Sequence, residues 1–152
     1  MYNVRLNYRL LLLFLTLLVS ACSRQNGVGK LSQAIDALDA NDLATGSYVI
    51  IPNQGCEGCI STAEAFVKNN IGKSDSIRYI FTRIQSAKLL KIKLGNDVMS
   101  SNKVLLDTAD MIEYPDKGKE IYPMIVTVKD HRVDKVTYQS PDSDGLNALL
   151  GK

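Results

Sequence analysis

An excess of positive charge is missing from this 152-residue chain once its first segment is set aside. Arg5 and Arg9 lie in the first 21 residues, so 16 of the 18 basic residues remain against all 16 acidic residues. A protein that binds nucleic acid needs a basic surface to neutralise phosphates. The balanced charge therefore gives no reason to expect nucleic acid as a partner.

A long apolar run is missing as well. The apolar stretch Leu10–Val19 is shorter than the roughly 20 residues that a membrane-spanning helix needs. It follows the basic residues Arg5 and Arg9 and precedes small residues, which is the pattern of a secretory signal peptide. Residues 1–21 are therefore expected to be a targeting segment outside the fold.

The end of this segment, Val19-Ser20-Ala21-Cys22, resembles the lipobox of bacterial lipoproteins. The resemblance implies that Cys22 is diacylated and begins the mature chain; the alternative is a cysteine beside an ordinary cleavage site. A lipid on Cys22 fits the cysteine count, because it leaves Cys56 and Cys59 as one pair in an oxidising compartment. We expect an extracytoplasmic protein that a lipid holds to the cell-envelope membrane. Ser23 does not resemble an inner-membrane retention aspartate, which favours the outer membrane, facing the periplasm.

The mature chain of 131 residues is expected to form one domain. Residues 22–30 are mostly polar, with two glycines, and predict a flexible tether to a domain over residues 31–152. Apolar periodicity predicts helices at about 31–40, 60–67, 86–94 and 146–150, and strands at 47–51, 76–83, 104–106, 124–128 and 132–138. In the second helix Glu64 is expected to face solvent. This order predicts an α/β fold with a sheet covered by helices on both faces.

The two remaining cysteines stand in Gly55-Cys56-Glu57-Gly58-Cys59, between a predicted strand and a predicted helix. This spacing suits thiol–disulfide exchange, because one sulfur can attack an outside disulfide while the other resolves the mixed disulfide. A helix N-terminus also favours the attacking thiolate electrostatically. A structural disulfide, half of a zinc site and chance remain the alternatives.

Histidine is scarce too, since His131 is the only one. A tetrahedral structural zinc site needs four Cys or His ligands, whereas lipidation of Cys22 leaves only Cys56, Cys59 and His131. A c-type haem would need a histidine directly after Cys59, and Ile60 stands there. We therefore expect no metal and no cofactor, with His131 in a polar turn. A metal-handling protein with His131 as the third ligand is the alternative.

The order of elements resembles the thioredoxin superfamily over residues 31–152: a strand, a CxxC at a helix start, a strand and a helix, then Pro123 before a hairpin and a final helix. The resemblance implies a mixed sheet, an exposed attacking Cys56 and a buried resolving Cys59. It also implies that Pro123 follows a cis peptide bond and packs against the disulfide, and that Tyr122 binds the incoming peptide. The lipid tether and Asp107 look most like membrane-tethered TlpA-like thiol-disulfide oxidoreductases.

The chain departs from the family around its cysteines. Well-studied thioredoxins have a tryptophan, a Gly-Pro pair and a buried aspartate where this chain has Gly55, Glu57-Gly58 and Ile50. Glu57 is either a solvent-side base, a residue that disfavours the neighbouring thiolate by charge repulsion, or an ordinary acidic residue of a helix's first turn. Two functions stay open. One is an oxidoreductase that reduces protein disulfides and is served by an upstream reductant; the other is a non-catalytic envelope or docking module with a structural disulfide.

Overall fold

The computed structural model describes residues 27–40 and 43–150. Its elements, in chain order, are α1 (residues 27–38), β1 (Gly46–Pro52), α2 (Glu57–Asn70), β2 (Ile77–Thr82), α3 (Ala87–Leu94), α4 (Asn96–Met99), β3 (Val104–Leu106), β4 (Met124–Lys129), β5 (Arg132–Ser140), β6 (Ser143–Asp144) and α5 (Gly145–Leu149). The strands form one six-stranded sheet in the order β3-β2-β1-β4-β5-β6. The sheet is mixed, because β1 pairs in parallel with β2 and antiparallel with β4.

β1 lies inside the sheet because its side chains are apolar on both faces. Val49 and Ile51 belong to the core on one face, and Tyr48 and Ile50 belong to the core on the other. A strand without a polar face is stable only between two covering layers. The central position of this strand places the loop that follows it, with Cys56 at the end of that loop and Cys59 in the first turn of α2, at the middle of one end of the sheet.

Helices cover both faces, so the predicted α/β arrangement is confirmed. One core cluster joins the sheet to α2, α3, α4 and α5 through Ala63, Leu90, Val98 and Leu146. The other cluster joins the opposite face to α1 and to the loop before β4 through Leu31, Ile35 and Ile112. Asp39, directly after α1, pairs with Arg78 near the start of β2, so α1 ends where β2 begins. The first residues of α1 therefore lie toward the other end of the strands, where the cysteines are.

The first described helix is longer than the sequence pattern predicts. α1 includes residues 27–30, so the predicted flexible tether does not extend over them. Lys30 pairs with Glu113 at 3.0 Å, and Gly27 lies against Pro115, which holds this end of α1 to the loop before β4. The rest of the tether, the leader at 1–21 and Cys22 lie outside the described residues. Among the helices of the described part, none has the length and apolar character to cross a bilayer.

Glu64 is buried rather than facing solvent. It is 4% exposed, and its Oε2 atom forms an ion pair with the Lys93 Nζ atom of α3 at 2.7 Å. Its Oε1 atom has no hydrogen-bond partner in the described part of the chain. The expectation was wrong because α3 packs beside α2 and covers this position, which the periodicity of α2 alone does not reveal.

Candidate redox site

Cys56 and Cys59 are joined by a disulfide bond at the start of α2, with their Cα atoms 5.3 Å apart. Cys56 is the N-cap residue, and its Sγ atom accepts a hydrogen bond from the Cys59 N–H at 3.4 Å. The first N–H groups of a helix have no partners within the helix, so they favour negative charge on a sulfur placed there. When the disulfide is reduced, this position therefore favours a thiolate at Cys56.

The two cysteines differ in exposure. Cys56 is partly exposed, whereas Cys59 is only 8% exposed and lies one turn into the helix. An attacking sulfur must be reachable by an outside disulfide, while a resolving sulfur needs to reach only its neighbour. The arrangement suits attack by Cys56 and resolution by Cys59.

The backbone of Ile121 contacts Gly55 and Cys56. The Cys56 N–H donates a hydrogen bond to the Ile121 carbonyl at 2.9 Å. Gly55 has a φ of +142°, and a Cβ atom there would collide with the Ile121 carbonyl oxygen. Both the conformation and the space require glycine. This contact explains why no tryptophan can stand at position 55, and Ile121 is a site residue that the sequence reasoning missed.

The backbone N–H and carbonyl of Tyr122 are both hydrogen-bonded within the loop before β4. The Tyr122 N–H donates to the Lys119 carbonyl at 3.0 Å, and the Tyr122 carbonyl accepts from the Tyr114 hydroxyl at 3.0 Å. Pro123 is buried directly after it. No peptide bond of the described residues is cis, so the Tyr122–Pro123 bond is trans and the cis bond implied by the family resemblance is absent. The residue that meets the cysteine segment is Ile121.

Arg83 and Tyr114 hold this loop in place. The Arg83 guanidinium lies 5.6 Å from the centre of the Tyr114 ring and donates to the Glu120 carbonyl at 3.2 Å. Burial raises the pKa of Tyr114 well above its ordinary value, so its hydroxyl stays a hydrogen-bond donor at neutral pH. Hydrogen bonds from the backbone N–H groups of Glu120 and Gly118 lower the pKa of the Glu120 carboxyl. The residues that lead to Ile121 are thereby fixed to the end of β2.

Asp107 fixes the start of the same loop. It is fully buried, and its Oδ2 atom accepts from the Thr82 hydroxyl at 2.8 Å and from the Ile112 N–H at 3.0 Å. Its Oδ1 atom accepts from the Met111 N–H at 2.8 Å. A buried carboxylate is tolerated when its oxygens are satisfied in this way. In the structure Asp107 positions the loop that contacts the cysteines.

A groove of about 440 Å³ lies along the segment before α2 and the first turns of that helix, and it reaches Lys93 of α3. Its lining residues are Asn53, Gln54, Gly55, Glu57, Ile60, Ser61 and Lys93. Glu57 is exposed in the first turn of α2, next to Cys56, and Lys93 is the α3 residue that pairs with buried Glu64. The groove provides room for a polypeptide segment next to Cys56.

His131 and the cysteines lie at opposite ends of the strands. It is exposed in the β4–β5 turn, and its N–H donates to the Ala44 carbonyl at 2.9 Å. Because β4 runs antiparallel to β1, the end of β4 meets the start of β1, whereas Cys56 follows the end of β1. His131 is therefore not a third ligand beside Cys56 and Cys59. Within residues 27–40 and 43–150, no group of three or more Cys, His, Asp or Glu side chains is arranged to hold a metal ion.

No protein-family model, curated protein or solved structure matches this chain. The likeness to thioredoxins is therefore one of motif and element order. A function is inferred from the residues around Cys56 and Cys59.

Proposed function

We propose that this chain is a lipid-anchored, extracytoplasmic thiol–disulfide oxidoreductase with a thioredoxin-like domain that reduces disulfides in partner proteins. The observation that carries the proposal is the asymmetry at the start of α2, where Cys56 is partly exposed at the N-cap and Cys59 is buried. The element order supports it, because β1, α2 and β2 are followed by Pro123, the β4–β5 hairpin and α5.

Reduction starts from the dithiol form of the chain. The Cys56 thiolate attacks one sulfur of a partner's disulfide, so a bond from Cys56 to the partner forms and the partner's own S–S bond breaks. The other partner sulfur leaves as a thiolate and takes a proton from solvent. The N–H groups at the start of α2 stabilise the thiolate before the attack.

Cys59 completes the exchange. Its thiol loses a proton to solvent and attacks the Cys56 Sγ atom, so the Cys56–Cys59 disulfide forms and the partner leaves as a dithiol. Two electrons have then passed from the chain to its partner. A protein dithiol acting as the upstream reductant restores the reduced chain by the reverse sequence.

The reduced chain should reduce the disulfides of insulin, and Cys56→Ser should abolish this activity because the attacking sulfur is lost. Cys59→Ala should instead accumulate a mixed disulfide between Cys56 and insulin, since the resolving thiol is missing. Cys22→Ser is the matched control, because it removes a cysteine and leaves both site sulfurs intact. If Cys56 stays inert to an alkylating reagent after reduction, the proposal fails.

Attachment through Cys22 is the second part of the proposal, and the lipobox-like sequence and the leader pattern support it. Mass spectrometry of the purified chain should find a diacylated Cys22 at its N-terminus, and Cys22→Ala should lose the lipid. Ser20→Ala, a small-residue change before the cysteine, is the control that should keep it. A cleaved wild-type chain in the soluble fraction, with a free Cys22, would contradict this part.

A non-catalytic module is a second candidate, and the hydrogen bonds of Tyr122 favour it. The N–H and carbonyl of Tyr122 bond to Lys119 and Tyr114 rather than lying open to an incoming peptide. In that case the domain is an envelope or docking subunit with a structural disulfide. A Cys56→Ser/Cys59→Ser variant that retains full cellular function would favour this candidate over the oxidoreductase.

A further inference from the structure

The outer face of α3 exposes two large aliphatic side chains. Leu89 is 66% exposed and Ile92 is 70% exposed, whereas Leu90 and Leu94 of the same helix are buried in the core. Leu89 and Ile92 are three residues apart and are therefore neighbours on the helix surface. Together they form a small apolar patch that another molecule can cover.

The same helix is basic. α3 contains Lys88, Lys91 and Lys93 and no acidic residue. Lys93 pairs with Glu64, while Lys88 and Lys91 form no ion pair with the described part of the chain. We call Lys88, Leu89, Lys91, Ile92 and Lys93 the α3 patch. Its charge attracts acidic groups, and its leucine and isoleucine favour apolar ones.

The α3 patch is continuous with the groove beside Cys56. Lys93 lines that groove, and Leu89 lies one turn before it on the same side of α3. Glu57 is the acidic residue of the groove and lies at the cysteine end. A polypeptide that follows the groove from Glu57 therefore reaches Lys93, and the exposed side chain of Leu89 lies next to Lys93 outside the groove.

We propose that the α3 patch is a docking surface for the protein whose disulfide Cys56 attacks, and that this partner presents an apolar segment bearing acidic side chains. The segment lies close to the partner's reactive cysteine, so that it reaches α3 when that cysteine is at Cys56. This inference rests on the proposed oxidoreductase function and names the class of its substrate.

A second copy of the chain fits the patch poorly. In a two-fold symmetric contact the same patch comes from both copies, so the lysines of each copy would face an α3 surface that is basic and has no acidic residue. Like charges across an interface are destabilising. Acidic groups on a different protein remove this conflict.

The test uses the reduced full chain in a neutral detergent and two synthetic peptide disulfides. The peptides share their leucines and differ only in glutamate or lysine at a few positions beyond the cysteine. The acidic peptide should be reduced about tenfold faster, and added salt should shrink the difference. Lys88→Glu/Lys91→Glu should abolish or reverse the preference, and Leu89→Gln/Ile92→Gln should slow reduction of both peptides.

Matched controls change the same charge or the same apolar area elsewhere. Arg132→Glu/Lys135→Glu alters two exposed cations of β5, and Met111→Gln/Leu150→Gln alters two exposed apolar residues; both should keep the acidic preference. All variants should reduce the small, uncharged hydroxyethyl disulfide at the wild-type rate, because it needs no docking surface. Equal rates for the two peptides, with this small disulfide still reduced, would overturn the docking proposal alone.

If the wild-type chain does not reduce even hydroxyethyl disulfide, the proposed oxidoreductase function is refuted instead. Docking is then measured by fluorescence anisotropy with a labelled acidic peptide that lacks cysteine. Loss of peptide binding in Lys88→Glu/Lys91→Glu supports docking at the α3 patch. Unchanged binding in that variant refutes it. A change of oligomeric state or of flotation with anionic vesicles in that variant, without a change in peptide preference, would assign the patch to a second copy or to lipid and overturn the proposal.

Discussion

The Ile121 carbonyl oxygen accepts a hydrogen bond from the Cys56 N–H and occupies the space that a side chain at position 55 would need. The loop before β4 and the first cysteine are thus in direct backbone contact. Any movement of this loop changes the position of Cys56, and any side chain larger than hydrogen at Gly55 displaces the loop.

Gly55→Ala should destabilise the protein by about 2–3 kcal/mol, because an L side chain is strained at positive φ and its Cβ collides with the backbone of Ile121. Urea unfolding followed by circular dichroism measures this loss. Gly58→Ala adds the same methyl group in open space within α2 and should be neutral or stabilising by up to about 1 kcal/mol. If the two variants lose the same stability, the contact does not constrain the loop.

Asp107→Ala should cost about 3 kcal/mol, because it removes an acceptor from the Thr82 hydroxyl and from two backbone N–H groups in a buried place. Hydrogen exchange of the Met111 and Ile112 amides should accelerate along with the fall in urea midpoint. Asp142→Ala, at an exposed position, is expected to change stability by less than about 0.5 kcal/mol. Slow exchange of both amides in the Asp107 variant would refute the positioning role.

The sequence predicts the elements whose cause is local. The apolar run of β1 and the start of α2 near Cys56 follow from short patterns that the structure contains. The Ile121 contact and the burial of Glu64 depend on segments far apart in the chain, so periodicity within one element cannot reveal them. α4 was missed for a related reason, since Gly95 looks like the end of α3 and a four-residue helix has no clear period. The glycine directly before Cys56 is a sequence signal that could have pointed to a close backbone neighbour, but its φ of +142° is seen only in the structure.

Lys93→Met should destabilise the protein by about 2–3 kcal/mol, because the buried Glu64 carboxylate loses its only described partner charge. The Glu64→Leu/Lys93→Met variant should recover most of this loss, since it also removes the Oε1 atom that has no partner within residues 27–40 and 43–150. Guanidinium unfolding of the two variants provides the comparison. Lys88 has no ion pair in the described part of the chain, so Lys88→Met should change the free energy of unfolding very little. If Lys88→Met lost as much stability as Lys93→Met, the stabilising role of the Lys93–Glu64 pair would be contradicted.

Tyr79→Phe should leave the protein as stable or raise stability by about 1 kcal/mol at pH 7, because the Tyr79 hydroxyl is buried without a hydrogen-bond partner in the described part. Thermal unfolding at neutral pH measures this difference. Tyr122→Phe removes a hydroxyl from a partly exposed ring and should change little. A clear loss of stability in Tyr79→Phe would show that its hydroxyl is bonded.

The same tyrosine predicts a pH dependence. Burial raises the pKa of Tyr79 to about 12 from an ordinary value near 10. Between these values the unfolded chain has lost the proton and the folded chain has kept it, so stability falls as pH rises from about 10 to about 12. Tyr79→Phe should therefore lose less stability over this window than the wild type. Parallel curves for the two proteins would contradict the shift.

The outer strands of the sheet have a consequence for contacts between copies of the domain. An unpaired strand edge is where two copies would join into a continuous sheet. At one side β3 offers only three residues. At the other, the two residues of β6 pair only with the end of β5. The rest of β5 carries the exposed residues Arg132, Asp134 and Lys135, and a register shift at Thr127 and Val128 interrupts its pairing with β4. Short, charged and irregular edges of this kind disfavour edge-to-edge pairing between two copies of the domain.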